Sequence, residues 1–153
     1  MRLNKVDILK GKLTFGQKID LLEVIVNEQS EAEKAKAIIR ILGGRINKIR
    51  WWNVRRVLRY VKGVVDGLEY WAKAEAKALK YEPTAEEKKM GYSVLSKKFG
   101  IFNTVDALAL KYMKDPDDIL NWDYAKVFLI LCKDLETHKI DVKNYERNSK
   151  KKP

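Results

Sequence analysis

The sequence predicts an all-α fold, a single-domain helical bundle of about six helices with one long central helix. Three observations point there. Helix-start signals recur along the chain, each a Ser or Thr followed three residues later by Glu or Gln, or an Asp followed at once by Pro. The stretches behind them carry apolar residues at helical spacing. At 153 residues, with eight Gly and three Pro, the chain has the length of one domain and no linker-rich composition. Such a domain buries roughly two-thirds of the surface of its unfolded chain.

Taken in order, the elements are these. A short N-terminal strand or hairpin is expected across Val6–Phe15, turning at Lys10-Gly11. Thr14 and Gln17 form a capping box ahead of Ile19, Leu22, Ile25 and Val26, which share one helical face. Ser30 and Glu33 form a second box, opening EAEKAKAIIRIL, and Gly43-Gly44 closes that helix. The long third helix is predicted from about Ile46 to Tyr81. Thr84 with Glu87, after Pro83, starts a fourth, carrying Met90, Val94 and Leu95 as far as Gly100. Asn103 is expected to open a short fifth, TVDALALKYMK. Asp115-Pro116 is a cap followed by proline at the first helical position, and Asn121 precedes the last helix, WDYAKVFLILCKDLETHK. The helical domain is expected to span 1–140, with 141–153 a basic flexible tail ending Lys-Lys-Lys-Pro.

The net charge of +11 is local. Ten basic residues fall between Lys34 and Lys62, and no Asp or Glu occurs between Glu33 and Asp66. The remainder of the chain holds 22 basic against 21 acidic residues, and 104–136 is mildly acidic, with seven acids against four lysines. A concentrated excess on a folded surface implies a polyanion or an acidic protein surface as partner.

The stretch RINKIRWWNVRRVLRYVK (45–62) concentrates that excess. At about 100° per residue, Trp51, Val54, Val57, Leu58, Val61, Val64, Val65 and Leu68 fall within about 140° and read as a core-facing stripe. Arg45, Lys48, Arg55, Arg56, Arg59 and Lys62 gather on the other side with Trp52 in their midst. Two readings stand. The face is a solvated one, with Trp52 lying on arginine stems or another helix. Alternatively it binds a polyanion, pairing guanidinium groups with phosphate and stacking on the indole, the partner being nucleic acid or an acidic protein, including the acidic 104–136 segment of another copy. Solvated helix faces usually mix charge signs for i,i+4 support, and this one does not. Gly63 and Gly67 fall on the far side from the stripe, marking a kink, a close helix crossing or a tolerated surface glycine.

Little in the chain suggests catalysis. Cys132, the single cysteine, lies within VFLILC and reads as a buried, reduced thiol of a cytoplasmic protein. His138, the single histidine, has only Asp134 nearby at helical spacing, which does not make a metal site. The cluster Asp115, Asp117, Asp118 lacks the spacing of a calcium loop and is explained by helix capping. No phosphate loop or nucleophile elbow is present. No cofactor, metal or catalytic residue is therefore expected, and no apolar run reaches the roughly 20 residues that span a bilayer. The N-terminus lacks the apolar stretch of a secretory signal. Tested as a helix-turn-helix, 94–113 places Val105 one position early and offers Asp106, Ala107, Leu108 and Ala109 to base edges, a poor reading surface.

Two stretches carry a family resemblance. LTFGQKIDL (13–21) resembles the opening of small structural proteins of tailed bacteriophages. LSKKFGIFNTVDALALKYMKDPDDILNWDYAKVFLIL (95–131) is similar to the helical region of phage tail-assembly-chaperone-like proteins, from Phe99-Gly100 through the Asp-Pro turn to Trp122, Tyr124, Val127, Phe128 and Leu131. Together they cover about 30% of the chain. The resemblance implies an all-α, non-enzymatic protein of the host cytoplasm or the virion. Its partner would be a helical virion component or a second copy of itself. The arginine-rich helix is outside the family pattern, which leaves a head–tail adaptor or a DNA- or RNA-contacting component as further roles.

Overall fold

The computed structural model describes residues 8, 12–27, 30–43, 54–89, 91 and 98–149, and over these the fold is all-α. Seven helices are described: α1 (Phe15–Val26), α2 (Glu31–Ile41), α3 (Val54–Ala78), α4 (Ala85–Lys89), α5 (Ile101–Tyr112), α6 (Pro116–Leu120) and α7 (Tyr124–Ser149). No strand is present among them. Residues 6, 7 and 9–11 of the expected hairpin, its turn included, lie outside the described residues; at its described end Thr14 makes a single bridge to Asp123. The amide of Phe15 donates to the Trp122 carbonyl and that of Tyr124 to the Leu13 carbonyl, both at 2.9 Å. The start of α1 is thereby stapled to the start of α7, far along the chain.

The local start signals form as their chemistry requires. Thr14 and Gln17 exchange side-chain and backbone hydrogen bonds in a full capping box, at 3.0 and 3.1 Å. The Ser30 hydroxyl accepts from the Glu33 amide, and the Asp115 carboxylate accepts from the Asp117 amide ahead of Pro116. Several boundaries differ from expectation. α3 ends at Ala78 rather than Tyr81, and its predicted first turns, 46–53, lie outside the described residues. α4 is described over Ala85–Lys89, and Gly91 takes φ +87°, outside the helical region; Met90, Val94 and Leu95, predicted to continue that helix, lie outside the described residues. Asn103 lies inside α5, whose N-cap is Gly100; Asn121 precedes the last helix as expected and caps the end of α6, and α7 begins at Tyr124 instead of Trp122. The boundary placed at 140 is crossed by unbroken helix as far as Ser149.

One core cluster joins Leu13, Phe15 and Leu21 near α1, Ile38 and Leu42 at α2, Val64, Leu68 and Trp71 of α3, Val105 and Leu108 of α5, Ile119 of α6, and Tyr124 and Val127 of α7. Its centre is aromatic. Trp71 meets Tyr124 edge-on at 5.0 Å and Phe128 at 5.3 Å, and its indole N–H donates to the Ile8 carbonyl at 2.7 Å.

Two buried faces are rotated from those the apolar pattern marks. On α1 the buried residues are Phe15, Lys18 and Leu21, while Val26 is exposed. On α3 they are Val64, Gly67, Leu68 and Trp71, an arc turned roughly 80° from the predicted stripe at 100° per residue. Gly67 explains the rotation. A Cβ there would stand 2.7 Å from the Ile8 methyl, so the missing side chain lets residue 8 lie against the helix. Gly67 is therefore a point of close approach by residue 8 and not a tolerated surface glycine. Val54 and Leu58, assigned to the core by their spacing, are instead 70% and 57% exposed. They lie one to three turns before Val64, up to roughly 15 Å beyond the last buried contact of α3.

Candidate functional site

The exposed first turns of α3 carry the described part of the basic face. Arg55, Arg56, Arg59 and Lys62 are all exposed, and the first acid on this helix is Asp66. Arg45, Lys48 and Trp52, the other residues assigned to the face, lie outside the described residues, as does Trp51. At about 100° per residue, Val54 and Leu58 form an apolar strip directly beside Lys62, Arg55 and Arg59. The helix thus presents an apolar and basic edge to solvent, held rigid because Val64, Leu68 and Trp71 anchor the same helix in the core.

A second feature was not anticipated. Between α1, α5 and α6 lies an open groove of about 970 Å³. Its apolar floor and lip come from Ile19, Ile101, Phe102, Val105 and Leu120. Four acids edge it, Asp20, Glu23, Asp106 and Asp117, and among the described residues no Lys or Arg lines it. Phe102 is 71% exposed at its lip. The sequence contained a partial signal, the acidic bias of 104–136, but the contribution of Asp20 and Glu23 depends on α1 packing beside α6.

The titratable groups elsewhere act as clasps. His138 does not meet Asp134. Its Nε2 stands 2.8 Å from Glu87 Oε1 and 3.0 Å from the Tyr81 hydroxyl, which donates to Glu87 Oε2 at 2.6 Å. Glu87 also accepts from the Thr84 amide at 2.7 Å, completing the cap of α4. The Tyr81 hydroxyl first, then the Thr84 amide, with His138 adding less, hold the Glu87 carboxyl at about 2 instead of 4.5. Asp134 instead pairs with Lys111, bridging α7 to α5, and its hydrogen bond raises the Lys111 pKa. Cys132 is half-buried, and burial followed by nearby Glu136 pushes its thiol up, away from a reactive thiolate. Among the described residues, no three His, Cys, Asp or Glu side chains converge as metal ligands would, and no helix is long and apolar enough to cross a membrane.

The Glu87 clasp has a definite pH signature. A carboxyl whose folded pKa lies below its unfolded one stabilises the fold fully above about 4.5, and that contribution is lost as pH falls toward 2. The difference in melting temperature between wild type and Glu87→Gln should therefore be largest at neutral pH. It should shrink steadily between pH 4.5 and 2. A difference that stays constant across that range would show that the carboxylate is not held by these donors.

Comparison with family models, with curated proteins and with solved structures finds no match to this chain. The surfaces themselves are therefore the basis for reading function.

Proposed function

We propose that this chain is a small non-enzymatic assembly or structural protein that works through protein–protein contacts. It would act in the manner of the tailed-phage tail-assembly-chaperone-like or head–tail proteins that its sequence resembles. The supporting observation is apolar surface on helical faces that the fold does not use. Leu58 on α3, Phe102 and Leu110 on α5, Met113 just after it and Leu129 on α7 are all more than half exposed, from 57% to 94%. Scattered surface apolar residues are ordinary. Here, however, Leu58 and Phe102 each sit beside a concentration of charge of one sign, the usual make-up of an interface with a polar rim. The role places the chain in the host cytoplasm or the virion.

In-cell photo-crosslinking tests this directly. A crosslinking side chain at Leu110 or Leu129, in the cells that naturally make the protein, should yield adducts with protein chains. Recovery of the free chain alone from both positions and from Phe102 would overturn the assembly role.

The exposed group Arg55, Arg56, Arg59 and Lys62 favours one second reading, a module that binds DNA or RNA through this face together with Arg45, Lys48 and Trp52. Engagement of about six phosphates gives an affinity that falls with salt at a log–log slope of roughly −4 to −5. Arg55→Gln/Arg56→Gln/Arg59→Gln should flatten that slope. Absence of binding at low salt would remove the reading.

A further inference from the structure

Resting on the assembly reading above, we infer that the acidic groove between α1, α5 and α6 is a docking site for the basic end of α3 from a second copy of this chain. Three observations select that occupant. The first is complementarity of charge, since Asp20, Glu23, Asp106 and Asp117 edge the groove and Arg55, Arg56, Arg59 and Lys62 crowd the helix end. The second is complementarity of pattern. The groove has an apolar floor inside an acidic rim, and the helix edge has Val54 and Leu58 beside its basic strip, so one apolar row can enter while the cations meet the rim. The third is geometric. α3 is continuous from Val54 to Ala78 and is anchored at Val64, Leu68 and Trp71. Its first turns cannot fold back into the groove of the same chain, where they would have buried Val54 and Leu58. Only another copy can supply them.

The contact joins two different surfaces, so it is heterologous. Each copy, having bound one neighbour through its helix, still offers an empty groove, and the series closes into a ring or continues as a filament. That behaviour suits a protein that builds virion-like structures. It also gives a common role to the four cations at the start of α3 and the four acids that edge the groove.

Charge-swapped variants of the full chain test the docking by sedimentation at low and high salt. Wild type should exceed monomer mass at low salt, with assembly weakened as salt screens the rim. Arg59→Glu/Lys62→Glu, altering the helix, and Glu23→Lys/Asp106→Lys, altering the groove, should each associate at least roughly tenfold more weakly, because like charges then face one another across the contact. Mixing the two variants restores opposite signs at every junction and should restore assembly. These four side chains are exposed, and unchanged melting curves would show that the variants fold. Wild type that stays monomeric, or a two-fold dimer indifferent to both variants, would overturn the docking. A photo-crosslinker at Phe102 separates this from failure of the assembly role. Adducts with 54–62 of an isotopically marked second copy support the docking. Adducts only with a different protein overturn it and leave the assembly role standing. No protein adduct from Phe102, Leu110 or Leu129 overturns both.

Discussion

Trp71→Ala should lower stability by about 3–5 kcal/mol, the range for removing a large aromatic side chain from a packed core. Trp71 is 7% exposed and is the junction of three parts of the chain. Its ring meets Tyr124 and Phe128 of α7 edge-on, while its indole N–H holds the carbonyl of residue 8 at 2.7 Å. Trp71→Phe separates these contributions. It keeps an aromatic ring near Tyr124 and Phe128 but leaves the Ile8 carbonyl without its donor, at about 1–3 kcal/mol for an unsatisfied buried acceptor together with lost packing. Denaturant unfolding followed by circular dichroism measures both. A cost for Trp71→Ala within about 1 kcal/mol would mean that the aromatic junction is not what joins α3 to α7.

The helix starts were legible because capping is local. Thr14–Gln17, Ser30–Glu33 and Asp115-Pro116 each act within three residues, and each forms the expected bonds. Which face of a helix is buried was less legible, because an apolar stripe states only what could be buried. On α3 the described part of the stripe, from Val54 to Leu68, outruns the core, and the choice falls to Gly67, where residue 8 approaches. The missing side chain of a glycine has no weight in a hydrophobic pattern, so the pattern pointed elsewhere. His138 failed for a related reason. Its partners Glu87 and Tyr81 lie 51 and 57 residues away, beyond any spacing rule. The basic end of α3 was plain from composition alone. The acidic groove was half visible, because Asp106 and Asp117 belong to an acidic stretch, whereas Asp20 and Glu23 join them only through packing.

Lys18 is the residue whose position departs furthest from expectation. It is 5% exposed on the buried face of α1, paired with Glu75 of α3, and its ammonium lies 4.3 Å from the centre of the Tyr124 ring. A buried cation loses its hydration, and a nearby carboxylate and an aromatic face are what replace it. Removing only the anion should therefore cost more than removing both groups. Glu75→Gln keeps the shape but leaves the ammonium uncompensated, which costs about 3–5 kcal/mol where a pair is fully buried. Because the Glu75 side chain is 27% exposed, water offsets part of the loss, and about 2–3 kcal/mol is expected. Lys18→Met removes the charge and fills similar space with an apolar chain, and should change stability by less than about 1 kcal/mol in either direction. In the Lys18→Met background, Glu75→Gln should then cost about 0.5 kcal/mol or less, as at an ordinary surface site. Unfolding of the four proteins completes the double-mutant cycle. Equal costs for Glu75→Gln in both backgrounds would show that the two side chains do not act as a pair. The expected large coupling would show that α1 and α3 are joined by a charge pair in the core, at a position where the apolar pattern predicts exposure.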